Sequence, residues 1–91
     1  MTNDELLAFA KKSLRVASTS FDDEIKILID SAKADITQAT DIEFDIEDSV
    51  QCNAVAIYCQ AYFGYGDEKA VERYQKILQC IGLRKIKEIQ P

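Results

Sequence analysis

Residues 49–66 carry no charged side chain. A run of this length raises the question of a membrane span. Ser49, Gln51, Asn53, Gln60, Gly64 and Gly66 dilute it, however, and no anchor flanks it. The reading that remains is a central buried helix. On a helical wheel its apolar residues, from Val50 and Cys52 through Ala61, Tyr62 and Phe63, cover most of the circumference. Ser49, Asn53 and Gln60 mark a polar edge, with Gln51 intruding. A helix apolar nearly all round must be covered on several sides. A chain of 91 residues buries only about 60–65% of its unfolded surface, so the sequence predicts that a neighbouring subunit supplies part of that cover.

The segments on either side read as amphipathic helices. Thr2-Asn3-Asp4-Glu5 has the form of a capping box, and Leu6, Leu7, Ala10 and Leu14 follow at helical spacing, predicting a short helix over about 3–15. Ser20 is placed to cap a second helix over 21–39, with Asp22, Asp23 and Glu24 in its first turn, where the helix dipole favours negative charge. Phe21, Ile25, Leu28, Ile29, Ala32, Ile36 and Ala39 fall in one stripe at about 100° per residue. Ile27 projects to the opposite side. Residues 40–48 alternate acid with hydrophobe. They read as a loop that tucks Ile42, Phe44 and Ile46 over the core, with Asp45 or Asp48 capping the uncharged helix at 48–64. Gly64-Tyr65-Gly66-Asp67 breaks that helix, and Asp67 can cap the next. Ala70, Val71, Tyr74, Ile77, Leu78 and Ile81 form the stripe of a helix over 67–82, with Gly82 as a C-terminal stop.

One Pro and three Gly supply too few turns for a sandwich or barrel, which needs one roughly every 8–12 residues. The expected fold is therefore all-α: a small bundle of three long helices plus a short N-terminal one. The helical domain spans 1–82, and residues 83–91 form an extended C-terminal tail with apolar residues at every third position.

Composition also removes much chemistry. Without His there is no Ser–His or Cys–His nucleophile and no His-based zinc site. Cys52, Cys59 and Cys80 are too few for a thiolate zinc tetrahedron. On one helix Cys52 and Cys59 lie about 10 Å apart along the axis, too far for a disulfide; the three read as small buried hydrophobes in a reducing compartment. Consecutive acids at 22–24 point about 100° apart on a helix and do not converge on a metal. We expect no catalysis, no cofactor and no metal. Residues 1–48 hold 12 acids and 5 bases, against 4 and 6 over 49–91. A chain with net charge −5 repels DNA phosphates, and Arg84, Lys85 and Lys87 are its one basic cluster.

Two family likenesses follow from the motifs. Asp48-Ser49-Val50 resembles the Asp-Ser-Leu attachment site of acyl carrier proteins, but the helix after that site is strongly acidic in the family and uncharged here. A broader resemblance spans most of the chain. It rests on Ser20-Phe21-Asp22-Asp23-Glu24-Ile25 leading into Leu28-Ile29 and Ala32-Lys33, on an apolar helix ending Ala61-Tyr62-Phe63, and on Leu83-Arg84 after the last helix. This pattern resembles the tailed-phage head–tail connector family, the small head-completion or adaptor proteins also described as DNA-packaging proteins.

The resemblance implies a non-enzymatic α-helical subunit of the virion neck, assembled in the bacterial host cytoplasm. It implies self-association into a ring below the portal protein that extends the DNA channel and docks a tail-side completion protein. DNA would pass through without sequence-specific binding, and no membrane is involved. The residues expected to carry the contacts are Ile27, Phe63 and Tyr65, with Leu83, Arg84, Ile86 and Ile89 of the tail. The alternative reading is a small acidic helical adaptor or regulator that binds one protein partner without a ring; an acyl-carrier-like protein comes third.

Overall fold

The computed structural model describes residues 1–89, and their side chains through Leu83. The chain runs α1 (Asn3–Leu14), a 3₁₀ turn (Thr19–Phe21), α2 (Asp22–Thr40), α3 (Ser49–Tyr62) and α4 (Glu68–Ile89), with no strand among the described residues. The fold is all-α, as the sequence predicts. Helix directions alternate. Lys33 of α2 donates to Asn3 at the start of α1 (3.2 Å), and Gln60 near the end of α3 donates to the Ser13 carbonyl near the end of α1 (3.2 Å). The Phe21 ring before α2 meets Phe63 after α3. One end of the bundle therefore holds the 15–21 and 63–67 connections. The other holds the start of α1, the loop 41–48 and the C-terminal part of α4.

The predicted caps form at three helix starts. Thr2 and Glu5 close a reciprocal capping box on α1, and the amide and hydroxyl of Thr2 hold the Glu5 carboxyl below its usual range. Asp48 accepts from the Val50 amide at 2.9 Å, and Asp67 from the Lys69 amide at 2.9 Å. The start of α2 differs. Ser20 does not cap it; Ser18 instead accepts from the Ser20 amide and starts the 3₁₀ turn, and α2 begins after Phe21 with no side-chain cap. The tight turn started by Ser18 runs to Phe21, and so it is Phe21, with no hydrogen-bonding side chain, that stands immediately before α2.

The core joins Leu6 and Ala10 of α1, Ile25, Ile29, Ala32 and Ile36 of α2, Cys52, Ala54, Val55 and Cys59 of α3, and Tyr74, Leu78 and Ile81 of α4. The loop 41–48 alternates exposed acids with Ile42, Phe44 and Ile46, which pack onto this core as the sequence predicts. The cover of α3 corrects one expectation. α3 packs against α1, α2 and α4 at once, so Cys52 on one side and Ala54 and Ala61 on the other are all buried within a single chain. No neighbouring subunit is required to cover it. Gln51 is buried with its needs met: its Oε1 accepts from the Asp45 amide (3.0 Å) and its Nε2 donates to Asp48 Oδ2 (3.1 Å).

The C-terminal segment is a second correction. α4 continues through Gly82 to Ile89 rather than stopping at 82 and giving way to an extended tail. Gly82 is absent from the positive-φ glycines, so it lacks the left-handed conformation that ends helices. A helical Gly costs about 1 kcal/mol relative to Ala, and the good helix formers Leu83, Arg84, Lys85 and Lys87 that follow offset it. Gln90 and Pro91 of the expected tail lie outside the described residues.

Candidate assembly surface

The connection between α3 and α4 is fixed by its backbone. The Phe63 N–H donates to the Cys59 carbonyl (2.8 Å), Gly66 N–H to the Phe63 carbonyl (3.0 Å) and Asp67 N–H to the Ala61 carbonyl (3.1 Å). Gly64 (φ 62°) and Gly66 (φ 77°) occupy the left-handed region that favours glycine. At Gly66 a Cβ would stand 2.6 Å from the Ala61 oxygen. Held between these glycines, Tyr65 is thrown wholly outward, at 111% relative exposure. Phe63 is half-buried, its ring edge-on to Phe21 at 5.5 Å and 90°. Phe21 is 44% exposed. Its place in the apolar stripe concealed this, because it belongs to the 3₁₀ turn rather than to α2. Phe21, Phe63 and Tyr65 thus cluster at one end of the bundle, beside the exposed Tyr62.

Behind this corner the side chains lock. The Tyr58 ring lies 4.7 Å from that of Tyr62 and 5.2 Å from that of Tyr74. The Tyr74 hydroxyl donates to Asp35 Oδ2 at 2.5 Å. Burial, and then that hydrogen bond to a carboxylate, push the Tyr74 phenol well above its ordinary range. Gln60 accepts from Arg73 (2.9 Å) while donating to α1. Lys11 Nζ sits 2.7 Å from Asp22 Oδ1, an oxygen with no aligned hydrogen bond, so charge alone compensates it.

The other expected contact residues lie elsewhere. Ile27 is 66% exposed on the outer side of α2, and Leu83 is 55% exposed on α4. Fifteen residues of helix separate Leu83 from Glu68, about 22 Å, so the candidates do not form one patch. Leu83 instead borders an open groove of about 610 Å³, lined also by Ala39 and Thr40 of α2 and Leu78 and Gly82 of α4. The periodicity of single helices gave no sign of this groove, because two elements make it. Arg84, Ile86 and Ile89 stand on the α4 backbone, but their side chains lie outside those described.

No group of three His, Cys, Asp or Glu side chains able to hold a metal occurs among the described residues. No described helix is long and apolar enough to cross a membrane. Cys52 and Cys59 are buried, as expected of small hydrophobes, whereas Cys80 is exposed on α4. Burial pushes the Cys59 thiol up to about 12, and it raises that of Cys52, whose Sγ donates to the Ile46 carbonyl.

Comparison with known proteins decides the family. The family described as phage connector protein matches residues 6–84. The chain belongs to that family. Its role is accordingly of the connector type, structural, and that of a virion component. The match runs from the first core residue of α1 to the residue after Leu83, so it takes in the greater part of all four helices, the glycine-bounded turn and the groove. No match was found among curated proteins or among solved structures.

Proposed function

We propose that this connector assembles as a ring in the virion neck, below the portal protein. The ring extends the DNA channel and presents a surface to a tail-side completion protein. The family match over residues 6–84 carries the reading. Two structural features support it. A glycine-bounded turn and two helix faces hold Tyr65, Ile27 and Leu83 out in solvent, with no described residue covering them. Isolated exposed hydrophobes are ordinary; a fully exposed tyrosine clamped between two left-handed glycines is a presented one. The exposed acids of the first half of the chain also suit a channel, since Asp23, Glu24, Asp30, Glu43 and Asp45 face solvent. A lining of such groups repels phosphate and lets DNA move without sticking. Assembly takes place in the host cytoplasm, and no cofactor takes part.

Electron microscopy of the purified protein mixed with portal tests this. The expected image is a portal with an added ring of density at its tail-side end. Portals left bare beside a monomeric protein would overturn the reading.

A further inference from the structure

We infer that neighbouring copies of this chain meet through the outer face of α2 on one and the outer face of α4 on the next, packed side by side and parallel. This rests on the ring reading above and names the contact between its subunits.

The two faces match in register and oppose in charge. On α2, Asp23, Ile27, Asp30, Ala34 and Thr37 are all exposed; on α4, so are Lys69, Arg73, Lys76, Cys80 and Leu83. Both sets advance by four, three, four and three residues, so each forms a stripe about 80° wide at about 100° per residue. That spacing is the seam of two helices packed at a shallow angle. The first stripe holds acids and no base, the second bases and no acid. Lys26 and Lys33 on α2, and Glu68 and Glu72 on α4, fall outside the stripes. Asp23, Asp30, Lys69 and Lys76 enter no ion pair among the described residues. Laid alongside in parallel, the stripes set Asp23 against Lys69 and Asp30 against Lys76, the second pair about 10 Å along from the first. Between them Ile27, 66% exposed, meets the hydrocarbon stem of Arg73, whose head is held aside by Gln60. Beyond them Ala34 meets Cys80, two small side chains that let the helices approach, and Thr37 meets Leu83.

Direction and placement also suit a ring. Helix directions alternate along the chain, so α2 and α4 run the same way. Subunits related by a small rotation then present these helices to each other nearly parallel, as the register requires. The faces look to different sides. α1 and α4 each pack on both α2 and α3 without touching one another among the described residues, so they flank that pair from opposite sides. The α2 stripe leans toward α1, where Asp30 borders a hollow with Asn3 and Leu7. The α4 stripe leans toward α3, where Arg73 donates to Gln60 at 2.9 Å. Two different surfaces turned apart make a head-to-tail contact that repeats around an axis.

The test is sedimentation of the full chain over a concentration series, free and on portal. Asp23→Lys with Asp30→Lys reverses one stripe, and Lys69→Glu with Lys76→Glu the other. Each double variant should keep its helical circular-dichroism spectrum and weaken self-association roughly tenfold or more. An equimolar mixture of the two should associate as the wild type does, and so should one chain carrying all four changes. Raising NaCl from ~0.05 to ~0.5 M should weaken the wild type. A cross-link reads the register: Ala34→Cys, oxidised with diamide, should give a ladder of covalent oligomers through Cys80 of the neighbouring copy, and adding Cys80→Ser should remove it. If a reversal disturbs folding, the cross-link decides alone, and its failure overturns the contact. Double variants that assemble like the wild type overturn this contact and leave the ring standing. A wild type that never self-associates, free or on portal, overturns both. Double variants that lose portal binding while still self-associating assign the stripes to the portal and also overturn the contact.

Discussion

α3 carries no charged residue and is flanked by α1, α2 and α4, whereas α4 mixes charge along its length and commits one stripe, Ala70, Tyr74, Leu78 and Ile81, to the core. The more apolar of the two is covered on several sides within the chain, leaving Tyr62 exposed at its end. The more polar one leaves Leu83 in solvent and borders an open groove. Mean hydropathy of an element therefore does not locate the apolar surface that this protein leaves in solvent. Apolar surface left over after the chain has packed lies instead at Phe21 and Tyr65 by the turn before α4, at Ile27 on the outer side of α2, and at Leu83 on α4.

The sharpest way to break this contrast is to place a charge in α3. Val55 is fully buried, and Val55→Asp should cost more than about 4 kcal/mol. For a domain of this size circular dichroism should then show no cooperative thermal transition. If the variant folds, α3 is less enclosed than described.

The α3–α4 turn gives the next effect. Gly66→Ala should lose about 2 kcal/mol or more, because a left-handed φ adds to a close approach to the Ala61 oxygen. Gly64→Ala, with the same sign of φ but open space around it, should lose about 1 kcal/mol. Equal losses would mean that Gly66 is kept for φ alone.

Tyr74→Phe should cost about 1.5 kcal/mol through its hydrogen bond to Asp35, measured by urea unfolding. It should also change the response to alkali. The Cys59, Tyr74 and Tyr58 groups all have folded pKa values raised by burial. Their contribution to stability is full below the unfolded values, near 9 for the thiol and 10 for the phenols. It is lost as pH climbs from there toward the folded ones. Wild-type stability should fall as pH rises above about 9, and Tyr74→Phe should fall less steeply. At pH 8 a thiol reagent should label Cys80 fast and Cys59 slowly.

The smallest stability effects are expected where assembly should suffer most. Tyr65→Ala and Ile27→Asp should change stability by no more than about 0.5 kcal/mol while weakening association by roughly 2 kcal/mol each if they anchor an interface. Phe63→Ala differs, since its ring packs on Phe21 and on the core; it should lower both stability and association. A Tyr65→Ala protein that assembles like wild type would remove the turn from the interface.

How far the sequence reaches can be judged residue by residue. Thr2 with Glu5, Asp48 and Asp67 announced their helices because capping is local chemistry, complete within four residues. The inward-facing Ile42, Phe44 and Ile46 were legible from alternation alone. Ser20 is a poor guide because Ser18 starts a 3₁₀ turn two residues earlier and shifts the start of α2 past it. Gly82 misled because a glycine ends a helix only when its φ turns positive, which the sequence does not display. The enclosure of α3 is hidden from the sequence for a different reason: a wheel reports which sides of a helix need cover, and the bundle, which sets how many neighbours provide it, is a property of four segments together. Of the candidate contact residues, Ile27 and Tyr65 were visible as apolar side chains with no place in a stripe. Phe21 and the groove were not, since both depend on where one element ends against another.

The alternating order of the helices has a kinetic consequence. Each long helix packs on the one that precedes it across a short connection, so few contacts require closing a long loop. Helical chains of this local kind fold in microseconds to milliseconds. Proteins that meet at micromolar concentration with ordinary docking rates of roughly 10⁵–10⁷ M⁻¹s⁻¹ encounter productively about ten times a second or more slowly. A chain of this kind is therefore fully folded well before it meets any partner, and the proposed assembly would join finished surfaces rather than chains still choosing their partners.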